Sequence, residues 1–264
     1  MFGIVNRIRN LRNILNISSC LYYCPVCEHS VKEFMPLPDF YLDQAELHGY
    51  LYSFDDGETL NYKQYSCPHC SSSDRERLYA LFLKEKTASY ENIRKLDLVE
   101  FAPIKPLSQM IKRLGAFNLR TADLYMKEVD DKVNLEDMSL YKDEAFDCFI
   151  CSHVLEHIPD DRKAMRELLR ILKPGGWGIL MVPIILSLDE IDEGPDVTDE
   201  GERWRRFGQH DHLRTYSKSG FLQRAEEAGF IVSQYGWQHF GSDLFDTAGI
   251  EKKSILYLVE KAGK

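Results

Sequence analysis

No stretch of this sequence is apolar for long enough to cross a bilayer. The longest run, near residues 178–188, is broken by Pro183 and falls short of the roughly 20 residues a spanning helix needs. The start of the chain lacks the small-residue cleavage site of a secretory leader, so none is expected. Basic residues are in deficit, 33 Lys and Arg against 42 Asp and Glu, for a formal net charge of −9. A phosphate backbone would repel such a surface unless its cations were gathered on one face, so nucleic acid is not the expected partner. No internal repeat is visible. What the chain does have is 264 residues, 44% hydrophobic and 28% charged, enough to bury the core of one large domain with a small appendage and too apolar for a disordered chain. A soluble protein is expected. The seven cysteines fall mostly in Cys-x-x-Cys pairs, which points to a reducing, cytoplasmic setting with bound metal rather than disulfides.

Along the chain three regions separate. Residues 1–19 form an amphipathic N-terminal segment, in which Ile4, Ile8, Leu11 and Leu15 recur at helical spacing beside Arg7, Arg9 and Arg12. Two readings stay open for it: a helix packed on its own protein, or a peripheral contact through residues 1–17 with the anionic inner face of a membrane. Residues 20–73 are rich in Cys, Tyr and acidic side chains without a sustained period and read as a small metal-stapled unit. Residues 74–264 form the larger domain, entered by the helix "DRERLYALFLKEK" with Leu78, Leu81 and Phe82 on one face. From Lys95 short apolar strands, "KLDLVEF", "FNLRTADL", "AFDCFICS" and "WGILMVPI", alternate with helices, "PLSQMIKRLG" and the segment after the cap residue Asp160 that ends at "KPGG". Such alternation calls for a parallel sheet covered on both faces, an α/β fold. Residues 189–212 are too long for an ordinary connection and read as a lid or insertion. One more helix, "SKSGFLQRAEEAGF", precedes the strands "IVSQY" and "SILYLVEK".

Cys24-Pro-Val-Cys27 and Cys67-Pro-His-Cys70 are two hooks, each able to present two thiolates to one ion. Together they make a four-thiolate tetrahedral shell. The wide gap between them is tolerable, because loop-closure entropy grows only logarithmically. Zinc is favoured over iron, since nothing else implies redox work, and a site closed by four thiolates is structural. His29 and His69 are alternative ligands. Cys148 and Cys151 share the spacing but sit on a strand, where residues three apart face opposite sides, and are expected in the core.

The segment Cys151–Pro159, "CSHVLEHIP", contains His-x-x-Glu-His, the letters of an inverted zinc-protease motif. That chemistry needs both histidines on one face of a continuous helix, whereas here His153 ends a buried strand and Pro159 follows closely. Instead, "LDLVEFAP", "TADL", "NLEDM", "EAFDCFICSHVLEHIPDD", "ELLRILKPGGWGILMVP" and "EEAGFIV", in that order over residues 95–264, resemble the class I S-adenosylmethionine-dependent methyltransferases. With the cysteine hooks in front, the chain further resembles the bacterial branch of that family that carries an N-terminal zinc ribbon and is often linked to surface-glycan genes. The resemblance implies a Rossmann-like sheet of seven strands, mostly parallel with the last antiparallel, and S-adenosylmethionine as cofactor. One departure stands out: where the family has glycines after the first strand, this chain has Ala102, Ile104 and Pro106.

Residue by residue, the resemblance implies that Glu100 holds the cofactor's methionine amino group, with the backbone of Phe101, Ala102 and Pro103 beside it. Asp123, followed by Leu124, would accept hydrogen bonds from the ribose hydroxyls. Asn134 would contact adenine with Leu135 stacking nearby, Asp137 competing for the role, and Ser152 and His153 would close the pocket. On the acceptor side "FGQHDHLRTY" crowds His210, Asp211, His212, Arg214 and Tyr216 into one loop. His210, His212 and His157 are candidate bases, since histidine titrates where a base is useful, and Arg214 is a candidate grip for a phosphate or carboxylate on the acceptor. Some related O-methyltransferases hold a divalent ion with Glu-x-x-Glu-His; here His153 replaces the first glutamate, so Mg²⁺ at His153, Glu156 and His157 is a further reading. The expected activity is O-methylation, less readily N-methylation, of a small, lipid-linked or saccharide-type acceptor. Two alternatives remain: an RNA methyltransferase gripping nucleic acid with its ribbon, and a non-catalytic binding protein on the same fold. The sequence leaves the oligomeric state open.

Overall fold

The computed structural model describes residues 21–88 and 94–263, so the segment 1–19 lies outside the described residues. The chain opens with a two-stranded ribbon, β1 (Tyr22–Tyr23) and β2 (Ser30–Val31), around the first cysteine hook. Helix α1 (Asp39–His48) follows and stops at Gly49, whose φ of 64° only glycine adopts freely. After the second hook comes α2 (Asp74–Ala88). The larger domain then runs β3 (Leu96–Phe101), α3 (Lys105–Leu114), β4 (Phe117–Asp123), β5 (Asp131–Lys132) and β6 (Phe146–Ser152), with a single 3₁₀ turn at Leu155–His157. Helix α4 (Asp161–Ile171) is capped by Asp160, which accepts from the Lys163 N–H at 2.9 Å. Beyond it lie β7 (Leu172–Met181), β8 (Asp192–Glu193), α5 (Glu200–Phe207), β9 (Arg214–Thr215) and α6 (Lys218–Glu227), the last capped by Ser217 accepting from Gly220 N–H at 3.1 Å. The chain closes with β10 (Ile231–Tyr235), α7 (Trp237–Phe240), α8 (Ser242–Thr247) and β11 (Leu256–Glu260).

Seven strands make the main sheet in the order β10-β11-β7-β6-β3-β4-β5. Strands β3, β4, β5, β6 and β7 pair in parallel, while β11 runs antiparallel to both β7 and β10. This is the expected Rossmann-like sheet with its last strand reversed. The central strands are buried on both faces, as a parallel sheet requires, and Cys148 and Cys151 are both fully buried, in the core position expected of them. One boundary differs: β7 begins at Leu172, directly after α4, so the "KPGG" segment belongs to the strand. Leu172 pairs with Phe146, and the register shifts before Cys148 pairs with Trp177, which absorbs the extra residues.

The unit that carries the two hooks does not stand apart. Val31, Phe34 and Cys67 belong to the same buried cluster as the sheet residues Leu98 and Phe149. The segment expected as a lid or insertion carries α5, which lies against α1: the Trp204 ring faces His48 at 6.2 Å and Phe40 at 6.0 Å between centroids, and Leu51 N–H donates to Arg205 O at 2.9 Å. No helix among the described residues is long and apolar enough to cross a membrane.

Candidate active site and thiol centre

The two hooks have the same backbone turn. Glu28 N–H returns to Cys24 O and Ser71 N–H to Cys67 O, each at 2.8 Å, and both Glu28 and Ser71 take left-handed φ, 65° and 62°. The four sulfurs lie within 4.8 Å of one another, with Cys24–Cys70 and Cys27–Cys67 each at 3.8 Å. A tetrahedral ion with metal–sulfur bonds of about 2.3 Å spaces its ligands about 3.8 Å apart, so Cys24, Cys27, Cys67 and Cys70 fit one soft divalent ion. Within the cluster the hydrogen bonds from Cys67 and Cys70 hold the Cys24 thiol low, while the same bonds push Cys67 up and burial pushes Cys27 up, so the four thiols share their protons unequally. His29 and His69 stack on each other outside the shell, ring centroids 4.5 Å apart.

The second concentration of polar groups lies at the carboxyl ends of the parallel strands, where open α/β sheets bind ligands. Glu100 ends β3 almost fully buried. Burial pushes its carboxyl up to about 7, against hydrogen bonds from Ser108 Oγ at 2.6 Å and Ile104 N–H at 3.3 Å. Its carboxylate thus organises the loop that replaces the glycine-rich turn. Ala102 in that loop takes φ 47°, the region glycine favours, and its N–H bonds Ala122 O at 3.0 Å, so the backbone follows a left-handed path despite its side chain. Phe101 is buried, and Ala102 and Pro103 after it are half-buried. Asp123 ends β4, with Oδ1 accepting from Tyr125 and Met126 N–H, each at 2.6 Å. Leu124 beside it is 44% exposed, whereas Leu135 is buried in the core. The expectation that Leu135 stacks on a ring is therefore corrected: its side chain faces inward, and the side chains open at that edge are those of Leu124, Tyr125 and Met126. Asn134 Oδ1 accepts from Glu136 N–H at 2.9 Å.

At the end of β6, Ser152 Oγ pairs with Tyr79 Oη at 2.8 Å and His153 adopts φ 55°. Burial, with Arg75 alongside, lowers the His153 pKa to about 4. Arg75 Nη1 lies 2.8 Å from both His153 ring nitrogens, a neighbour the sequence did not announce. Two residues on, the 3₁₀ turn carries Glu156 and His157 against His212, their ligand atoms within 4.8 Å of one another. Glu156 is fully buried. His153 Nδ1 lies 3.3 Å from its Oε1, yet neither carboxylate oxygen has a hydrogen-bond partner of proper geometry. Burial would push that carboxyl up; the surrounding imidazoles, His153 first, outweigh it and hold it low. His157 Nδ1 sits 3.3 Å from Asp211 Oδ2, and although burial opposes it, this pairing raises the His157 pKa.

Three acceptor-side expectations change. His210 is exposed and faces Trp204, ring centroids 6.3 Å apart, and is not drawn into the cluster. His212 is buried, its pKa lowered by burial to about 4 and its Nδ1 tied to Phe207 O at 2.9 Å, so it is a poor base at neutral pH. Arg214 is 1% exposed. It donates to Leu155 O at 2.7 Å, Ile158 O at 2.5 Å and Pro159 O at 2.8 Å, and faces Glu193 at 3.4 Å. A guanidinium so engaged cannot also grip an acceptor; it fixes the turn that carries Glu156 and His157. Arg75 is a neighbour that sequence reasoning did not single out, and Asp211, seen there only as one polar residue of its loop, is the partner of His157.

The ubiquinone biosynthesis O-methyltransferase of Chromobacterium violaceum is 40% identical over 69 residues, 24% of this chain and 30% of that one. Its counterpart from Paracidovorax citrulli is 31% identical over 70 residues, 26% of this chain and 28% of that one. The chain thus spans less than a third of the length of these curated relatives. Among solved structures, an S-adenosylmethionine-dependent methyltransferase from Mesorhizobium loti matches 70% of this chain and 98% of its own at 14% identity and a TM-score of 0.43. The methyltransferase domain model matches residues 69–235, from the second cysteine hook through β10, and by that match the chain belongs to the methyltransferase domain family.

Proposed function

We propose that this protein transfers the methyl group of S-adenosylmethionine to a hydroxyl of a small or saccharide-type acceptor, with a structural zinc in the thiol centre. The cofactor supplies an electrophilic methyl on a sulfonium, and the transfer is an in-line displacement. What remains for the chain is to align the two partners and take the acceptor's proton. The observation that carries the reading is the His157–Asp211 pair at the carboxyl edge of the sheet. Asp211 engages Nδ1 and so leaves Nε2 as the basic atom, which removes the proton from the attacking oxygen. In this reading Glu100, Asp123 and Asn134 would hold the amino group, ribose and adenine, and Ser152 with His153 would border the same crevice. The partial relatives named for O-methylation support oxygen as acceptor atom. The setting is cytoplasmic. Calorimetry with S-adenosylhomocysteine followed by labelled-methyl transfer into cell-envelope extract tests it; a protein that binds no S-adenosylhomocysteine at millimolar concentration is not this enzyme.

One observation favours a second reading of the same step. The two partnerless oxygens of buried Glu156, with His157 and His212 at hand, fit a divalent cation such as Mg²⁺, which would supply Lewis-acid activation of the hydroxyl. Loss of turnover on chelation, restored by Mg²⁺ while the thiol centre keeps its metal, would select this reading; indifference to the chelator would select the histidine base.

A further inference from the structure

We infer that the thiol centre is part of the cofactor site: it fixes the first turn of α2 so that the Arg75 guanidinium stands at the crevice between β3 and β6 and receives the carboxylate of the cofactor's amino-acid end. The inference rests on the cofactor and zinc readings above.

The chain order of the sheet locates the crevice. From β3 the chain crosses to β4 on one side and later to β6 on the other, so the strand order reverses at β3, and ligands lie outside the carboxyl ends at such a point. With the ribose assigned to Asp123 on the β4 side, the amino-acid end falls toward β3 and β6. Arg75 meets it there. Its Nη1 contacts His153 at the end of β6, its Nη2 donates to Tyr65 Oη at 3.0 Å, and its Nε is buried with no acceptor. A guanidinium N–H buried without a partner is costly, and a carboxylate docking on the Nε edge would satisfy it in the bidentate geometry arginine favours. Acidic groups face the same place: Glu76 lies close enough to Glu100 to push that carboxyl up further, and Glu76 Oε1 also lacks a partner. One cation beside two carboxyl groups complements a zwitterion.

The link to the thiols is short. Ser72 Oγ lies 3.1 Å from Cys70 Sγ and 3.4 Å from Cys24 Sγ, and Ser72 O accepts from Cys67 N–H at 2.9 Å. Arg77 then ties Ser72 O, Tyr65 O and Gln64 O together at 3.1, 2.9 and 2.6 Å. The turn that aims Arg75 is thus built on the metal ligands themselves.

Two ligands test this: S-adenosylhomocysteine, and methylthioadenosine, which lacks the amino-acid group. In the zinc-loaded protein Arg75→Ala should weaken S-adenosylhomocysteine roughly 10- to 100-fold, the range of one charged hydrogen-bonded pair, and leave methylthioadenosine unchanged. Competition with a chromogenic chelator should show zinc held several-fold more tightly when S-adenosylhomocysteine is bound, since coupling is reciprocal. Methylthioadenosine should give no such gain, and neither ligand should in Arg75→Ala. Equal loss of both ligands in Arg75→Ala, or none, overturns the receptor; zinc affinity indifferent to S-adenosylhomocysteine overturns the coupling. A parent protein that binds neither ligand overturns the cofactor reading and this inference with it.

Discussion

Among the described residues there are two clusters of metal-capable side chains, and they are built by opposite means. The thiol centre draws its four equal ligands from two short hooks with identical turns. It is closed, and its composition leaves no free position. The cluster of Glu156, His157 and His212 mixes ligand types and joins two segments far apart in the chain: Leu213 N–H reaches Glu156 O at 2.8 Å, and Arg214 holds the carbonyls of the 155–158 turn. Its carboxylate lacks hydrogen-bond partners, and a histidine–carboxylate pair stands next to it. A closed set of identical ligands supports folding; an open set of unlike groups with unsettled protonation supports chemistry.

The strongest way to break this contrast is to disable the closed centre. Cys67→Ser should lose the metal and lower the melting temperature by roughly 10 °C or more, because metal binding supplies several kcal/mol of folding energy and the unit shares its buried cluster with the sheet. Elemental analysis with a thermal melt checks it, and a variant that melts like the parent makes the centre ornamental. The matching change in the open cluster, Glu156→Gln, should leave the zinc content and S-adenosylhomocysteine affinity near parent values and lower kcat by about a hundredfold, close to 3 kcal/mol of barrier. If kcat is retained, the cluster has no part in the chemistry.

A finer test uses pH. The Asp211 carboxylate stabilises the His157 imidazolium and so raises its pKa; only the neutral ring can take a proton, so turnover falls as pH drops below that value. In Asp211→Asn the inflection should move to lower pH, and a profile that stays in place or moves up removes His157 as base. The smallest effect is expected away from both clusters. Ala102→Gly relieves a left-handed alanine and should change stability by no more than about 1 kcal/mol, metal content being untouched. A large loss of cofactor affinity there would show that the alanine methyl itself shapes the loop.

Much of this was legible beforehand. Periodicity and caps give α3, α4, α6 and the strands, because their apolar stripes are local; Asp160 and Ser217 cap where their letters say. The hooks are legible for the same reason, since each turn is complete within a few residues. The open cluster is only half legible. His157 stands out in "HVLEHIP", but nothing in spacing reveals that His212 is buried against it or that Asp211 pairs with it. Arg214 misleads because a charged residue in a polar loop reads as free to grip an acceptor, and only the folded 155–158 turn, with its inward carbonyls, makes a buried guanidinium tenable. Arg75 was hidden by a helix pattern whose apolar face drew all the attention.

The way the N-terminal unit is tied down also governs when the protein can fold. Its inserted segment finds its partners late in the chain: Glu58 N–H donates to Ile184 O at 2.9 Å, Asn61 Nδ2 to Gly249 O at 3.0 Å and Thr59 Oγ1 to Ile255 O at 3.1 Å, while Arg77 Nε donates to Ala248 O at 2.6 Å. A ribosome that has released residues 20–88 has therefore made a unit whose fastenings do not yet exist. Such long-range closures are slow and must wait for β11, the strand that completes the sheet from the opposite end of the chain. The apolar surface behind the hooks therefore stays uncovered until nearly the whole chain has emerged.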